Sequence, residues 1–211
     1  MKYQAVIFDL DGVICFTDRY HYMAWKKIAD DMGIYFDEET NNRLRGVSRM
    51  ESLEIILEKY DGVLSLQEKE QLAAQKNDFY VELLKQMSGK DLSGEVKETL
   101  DALRVRGLQL SIGSSSKNAR FILERLGLKD YFDAVSDGTN ITRSKPDPEV
   151  FEKAAEFLHR KPEECLVVED ARAGIEAARS GGFDSAGLGE AAACGQATYA
   201  MESFRDLLKI V

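Results

Sequence analysis

Asp9 and Asp11 stand two residues apart directly after the apolar run Tyr3 to Phe8, and a second acidic pair, Glu169-Asp170, directly follows Leu166-Val167-Val168. Carboxylates drawn to one point repel unless a hard cation lies among them, and oxygen donors of this kind suit Mg²⁺. Ser114 closes another apolar run, and Lys145-Pro146 lies in a loop. A hydroxyl and an ammonium held near those carboxylates would grip a transferring phosphoryl group and neutralise its charge. Each feature also has an ordinary explanation: a turn for Asp9-Leu10-Asp11, a helix cap for Ser116 or Asp170, a solvated side chain for Lys145. Their joint, ordered occurrence at strand ends points to chemistry, because ligands of an open parallel sheet gather at the carboxyl ends of its strands.

The elements that must position these groups follow from apolar patterning. Short runs at Tyr3 to Phe8, Leu108 to Gly113, Ala134 to Ser136, Cys165 to Val168 and Ser185 to Leu188 alternate with helix-length stretches. That alternation predicts an α/β fold with a doubly wound parallel sheet. Asp147-Pro148-Glu149 predicts a helix start, and Gly127 closes the pattern from Asn118 to Leu126. Between about Phe16 and Lys90 the rhythm turns helical, with Trp25, Ile28, Ala29 and Met32, then Leu53, Ile56, Leu57 and Tyr60, at helical spacing and no convincing strand. The expected organisation is a core of residues 1–15 and 91–211 interrupted by an all-helical insertion, residues 16–90, with crossings near Ile14 to Thr17 and Ser88 to Lys90.

Composition narrows the classes. The 211 residues carry 28 Lys and Arg against 37 Asp and Glu, a net charge of −9, which argues against a nucleic-acid scaffold. No apolar stretch is long enough for a bilayer and no signal-peptide pattern opens the chain, so a cytoplasmic protein without a membrane partner is expected. The cysteines Cys15, Cys165 and Cys194 are odd in number and widely spaced, which predicts reduced thiols, without a disulfide or zinc. The small acidic format is compatible with a monomer.

The set Asp9-Leu10-Asp11-Gly12-Val13, Ser114, Lys145 and Glu169-Asp170 resembles the haloacid dehalogenase superfamily. Within it the helical insertion resembles the cap of the β-phosphoglucomutase family, on Tyr20-His21, Trp25, Leu44-Arg45-Gly46-Val47-Ser48-Arg49, Ser52-Leu53, Lys76-Asn77-Asp78 and Ser114-Ser115-Ser116-Lys117-Asn118.

The resemblance implies a Rossmann-like core in which Asp9 is a nucleophile that becomes phosphorylated and Asp11 is the general acid and base. It implies Mg²⁺ held by Asp9, the backbone carbonyl of Asp11 and Asp170, with Glu169 contributing directly or through water, while Ser114 and Lys145 hold the phosphoryl group. The implied substrates are phosphorylated hexoses: glucose 1-phosphate, glucose 6-phosphate and the 1,6-bisphosphate. A mutase also needs a second cationic site, and Arg49 across the cleft from Ser116, Lys117 and Asn118 fits that demand, although Arg49 alone reads as a solvated helix residue. Gly46, Val47, Ser52 and Ser115 are implied in substrate binding. His21, which alone reads as structural, is implied to gate Asp11 together with Lys76. Trp25 either packs the insertion or faces the sugar. Thr17 is the expected hinge. Two departures stand out: Phe16 occupies a position where family members carry a polar, often acidic residue, and Arg45 replaces a lysine. A sugar-phosphate phosphatase would use the same core residues. A non-enzymatic phosphoryl receiver would share the sheet and lysine but needs neither Asp11 nor a helical insertion.

Overall fold

The computed structural model describes residues 2–44 and 47–211. Strand β1, Ala5–Phe8, is followed by four helices, α1 (Asp18–Asp31), α2 (Glu38–Asn42), α3 (Arg49–Leu57) and α4 (Leu66–Leu84). The chain then continues as α5 (Gly94–Val105), β2 (Gln109–Gly113), α6 (Ala119–Arg125), β3 (Ala134–Ser136), α7 (Glu149–Phe157), β4 (Cys165–Glu169), α8 (Arg172–Ser180), β5 (Asp184–Gly187), α9 (Gly189–Ala193), β6 (Tyr199–Ala200) and α10 (Leu207–Ile210). The strands form one sheet in the order β3-β2-β1-β4-β5-β6, and every pairing is parallel.

All four residues of β1 are buried, as a central strand covered on both faces requires. Val6 and Phe8 face a cluster that takes in Leu100 and Leu103 of α5 and Ile122 and Leu123 of α6, while Ala5 and Ile7 face Val150, Phe151 and Ala154 of α7 and Ala177 of α8. The helices after β1 carry a separate core of Trp25, Ile28, Ala29, Phe36, Leu53 and Ile56. Their bases do not follow that division: Tyr20 and Ala24 of α1 and Tyr80, Leu83 and Leu84 of α4 join the sheet cluster. Arg125 adds a polar tie, donating from Nε to the Met87 carbonyl at 2.9 Å and from Nη2 to that of Lys85 at 2.9 Å.

Local chemistry explains the element ends. Ser48 and Ser65 open α3 and α4 with reciprocal capping boxes to Glu51 and Glu68. Asp147 Oδ1 accepts the Glu149 N–H at 3.0 Å at the start of α7, and Gly127, at φ +75°, follows α6. At the second crossing Ser88 caps a 3₁₀ turn, Gly89–Asp91. Helix α8 begins at Arg172 with Ala171 at its N-cap and no side-chain cap bond from that residue, and just before it Glu169 Oε2 accepts the Ala171 N–H at 2.8 Å. Strand β6, two residues long at the sheet edge, was not among the expected runs. No helix among the described residues is long and apolar enough to cross a membrane.

Candidate active site

Register places the site. Phe8 pairs with Ile112 on one side and Val168 on the other, so Asp9, Gly113 and Glu169 leave the sheet side by side, with Ser114 one residue further on. Lys145, almost wholly buried at 1% exposure, reaches this row from its loop and donates to Asp9 Oδ1 and, at 2.6 Å, to Glu169 Oε1. Burial alone would pull its ammonium down, but Asp9 and Glu169 together hold it above the ordinary lysine value. Burial pushes the Asp9 carboxyl up, Lys145 pulls it down, and Glu169 and Asp170 push it up again. A cation near Asp9 and Asp170 would therefore favour the ionised nucleophile.

Gly12, at φ +93°, carries the turn after β1 beneath the Asp170 carboxylate. A Cβ there would lie 2.1 Å from Asp170 Oδ2, so only glycine lets this carboxylate approach. Among the described residues no three acidic, histidine or cysteine side chains form a side-chain metal cage. Glu169 accepts with both oxygens, from Lys145 and from the Ala171 N–H, whereas Asp9 meets Lys145 through Oδ1 and the Asp170 carboxylate lies against Gly12. Two carboxylates supplemented by backbone, water and phosphate oxygens match the way Mg²⁺ is usually held.

Asp11 belongs to a second network. Thr17 Oγ1 donates to Asp11 Oδ1, and Tyr80 OH donates to Thr17 Oγ1 at 3.1 Å. Burial raises the Asp11 carboxyl, against the pull of Thr17 and Lys76, toward the range in which a carboxylic acid can both give and take a proton. Burial also keeps the Tyr80 hydroxyl protonated and therefore a donor. His21 Nε2 lies 4.0 Å from Asp11 Oδ2, and its Nδ1 lies 3.0 Å from Lys76 Nζ. Burial, then Lys76 and Arg49, holds the imidazole well below its usual value, so the contact with Asp11 is made by a neutral ring. Lys76 sits over the rings of Trp25, at 4.9 Å, and Tyr80, at 4.3 Å. Burial, reinforced by Arg49 and opposed by Asp11, brings its ammonium down to about 7.

These groups line one cavity of about 690 Å³ between the sheet and the helices that follow β1. Asp9, Asp11, His21, Trp25, Val47, Arg49, Ser52, Lys76, Ser114, Ser115, Ser116, Lys117, Asn118, Lys145, Glu169 and Asp170 all contribute to its wall. Thr17 is buried behind it, at 0% exposure, and acts on the wall through Asp11. Gly46, and with it Arg45, lies outside the described residues. Trp25 is both things proposed for it: a member of the helical core at 2% exposure and a border of the cavity. Phe16 is 70% exposed at the cavity mouth, and Ser52 Oγ is committed to the Ser48 carbonyl at 3.0 Å. Ser115 Oγ is buried without a hydrogen-bond partner among the described residues, a donor suited to an anionic ligand.

Sequence reasoning did not single out Tyr80, and it marked Asn77 only as part of Lys76-Asn77-Asp78, without a role. Tyr80 sits on an apolar helical stripe where its hydroxyl carries no signal. Asn77 accepts from Arg49 Nη2 at 2.7 Å and from Asn118 Nδ2 at 3.0 Å.

The haloacid dehalogenase-like hydrolase family matches residues 3–182. The chain is 42% identical to a β-phosphoglucomutase of Bacillus subtilis (strain 168), over 89% of this chain and 84% of that protein. It is 33% identical to a phosphorylated carbohydrates phosphatase of Thermotoga maritima, over 86% of this chain and 82% of that protein. The crystal structure of a β-phosphoglucomutase from Clostridium difficile superimposes with a TM-score of 0.91 at 39% identity, covering 97% of this chain and 93% of that one. With the matched segment spanning both acidic pairs, Ser114 and Lys145, the chain belongs to the haloacid dehalogenase-like hydrolase family.

Proposed function

We propose that the chain is a β-phosphoglucomutase, interconverting β-D-glucose 1-phosphate and D-glucose 6-phosphate through a phosphorylated Asp9 and β-glucose 1,6-bisphosphate. The observation that carries this reading is one cavity whose wall holds two groups suited to phosphate: Lys145 and Ser114 beside Asp9, and Arg49 from the helical side with Ser116, Lys117 and Asn118 from the sheet side. A phosphatase needs the first group alone. The relationship to a β-phosphoglucomutase at 42% identity supports the same reading. The division into a core, residues 1–15 and 91–211, and a helical cap, residues 16–90, belongs to this proposal, and the separate apolar cluster around Trp25 supports it.

In the first half-reaction an Asp9 carboxylate oxygen attacks phosphorus, the bond to the sugar oxygen breaks, and Asp11 gives that oxygen its proton. In the second, Asp11 takes the proton of the incoming sugar hydroxyl, whose oxygen displaces Asp9. Lys145 and Ser114 orient the phosphoryl oxygens in both directions, and Arg49 with Asn118 holds the phosphate that is not reacting. Mg²⁺ held by Asp9, Asp170 and the Asp11 carbonyl would supply charge neutralisation on the transferring group.

The test supplies β-glucose 1-phosphate, Mg²⁺ and a trace of the bisphosphate, and follows glucose 6-phosphate and inorganic phosphate together. Glucose 6-phosphate should account for the substrate consumed, and Asp9→Asn should abolish its formation. Inorganic phosphate appearing at the rate of substrate loss would instead establish the sugar-phosphate phosphatase that shares these core residues.

A further inference from the structure

Three side chains from three helices converge on one atom. Arg49 opens α3, Asn77 lies in α4, and Asn118 stands at the start of α6 on the sheet side. The Asn77 Oδ1 atom accepts from Arg49 Nη2 at 2.7 Å and from Asn118 Nδ2 at 3.0 Å. A guanidinium has donors only, so it fixes which end of the Asn77 amide faces it, and Asn118 must then also present its NH₂ group. The two donors bound to this oxygen are the pair assigned above to the non-reacting phosphate.

We infer that Asn77 is a positioning residue that competes with the substrate: its amide oxygen stands in for a phosphate oxygen, latches the helical side to α6 through Arg49 and Asn118, and gives up both donors to the distal phosphate. The inference rests on the mutase reading of this end of the cavity and is independent of the chemistry at Asp9. The exchange is favourable because a guanidinium binds a charged, bidentate phosphate more strongly than a neutral amide oxygen. On this proposal the distal phosphate takes the same Arg49 and Asn118 N–H groups that the latch uses, so that a stronger latch weakens ligand binding. A scaffold asparagine would behave oppositely, since anything strengthening its bonds would strengthen the site.

Asn77→Asp keeps the shape and acceptor but adds a charge facing Arg49; Asn77→Ala removes the acceptor. Binding of glucose 6-phosphate is measured by calorimetry for both, with Arg49→Ala defining the share of binding owed to the distal end, and small-angle scattering of the unliganded protein reports separation of the helices from the sheet. Asn77→Asp should lose about tenfold or more in affinity with no increase in radius, whereas Asn77→Ala should lose less than about threefold while the radius grows. If Asn77→Ala binds more weakly than Asn77→Asp while Arg49→Ala still lowers affinity, Asn77 is scaffold and this inference alone falls. If Arg49→Ala leaves glucose 6-phosphate binding unchanged, the second anion end falls, and the inference with it.

Discussion

Lys76→Met isolates the cost of burying an ammonium beside His21 and Asp11. Lys76 is 2% exposed and its ammonium is brought from 10.5 down to about 7. At 1.36 kcal/mol per pH unit, that difference amounts to roughly 5 kcal/mol as an upper bound. The sign follows from proton counting. Between about pH 7 and 10.5 the unfolded chain holds the Lys76 proton and the folded chain does not, so the lysine protein gains stability relative to the methionine protein as pH rises. Below about pH 7 both states hold the proton and the full burial cost remains. Methionine keeps much of the packing against Trp25 and Tyr80 but loses the contact with His21 and the attraction to both rings, which shifts the offset between the proteins and leaves the slope as the informative quantity. Urea unfolding of both proteins at pH 6, 7, 8, 9 and 10, without sugar phosphate, should show the stability difference moving toward the lysine protein by up to about 1.4 kcal/mol per pH unit above pH 7. A difference flat from pH 7 to 10 would refute the burial argument and place the ammonium in water.

Lys145→Ala leaves Asp9 and Glu169 buried without their cation and should cost about 3–5 kcal/mol in chemical unfolding, with added Mg²⁺ raising the melting temperature of this variant more than that of the parent. An equal response to Mg²⁺ in both proteins would count against Asp9 and Asp170 as cation ligands. Thr17→Val cuts the chain from Tyr80 through Thr17 to Asp11; sugar turnover should fall by about 10- to 100-fold, measured at saturating substrate, while acetyl phosphate still labels Asp9 at its normal rate. Native protein should titrate one thiol with a disulfide reagent at pH 8, Cys194, and three in guanidinium, because Cys15 and Cys165 are buried and burial pushes the first well up and the second to about 12.

The sheet was legible because its central strands are covered on both faces: the continuous burial of Ala5–Phe8 and Cys165–Glu169 leaves apolar runs that nothing else in the chain imitates. The carboxyl-end groups were legible for the same reason, since each directly follows such a run. Strand β6 was not, because two residues paired on one side with β5 impose almost no pattern. The division of labour between Glu169 and Asp170 was also hidden. Adjacent carboxylates look alike in sequence, and here local competition separates them: the Ala171 N–H and the Lys145 ammonium take one, while the space above Gly12 admits the other. Tyr80 was missed, and Asn77 was marked without a role, because a long helix gives every polar side chain the same bland reading until its partners arrive from elsewhere in the chain.

Those late-arriving partners decide what the core can do. Asp9, Ser114 and Lys145 are placed by the sheet and its loops, so the nucleophile proposed at Asp9 takes its position from the sheet side. Asp11 is different: its partner Thr17 lies at the start of α1, and the hydroxyl that steadies Thr17 comes from Tyr80 on α4. Proton transfer is thereby tied to the placement of the helical side, whereas attack by Asp9 on a reactive phosphate is not. Arg49 opens α3, which packs against α4, so a ligand engaging it with a second phosphate bears on the elements that fix the acid. Water has no such handle. An enzyme built this way favours a phosphorylated sugar over solvent as acceptor because only the sugar assembles the base that must deprotonate it.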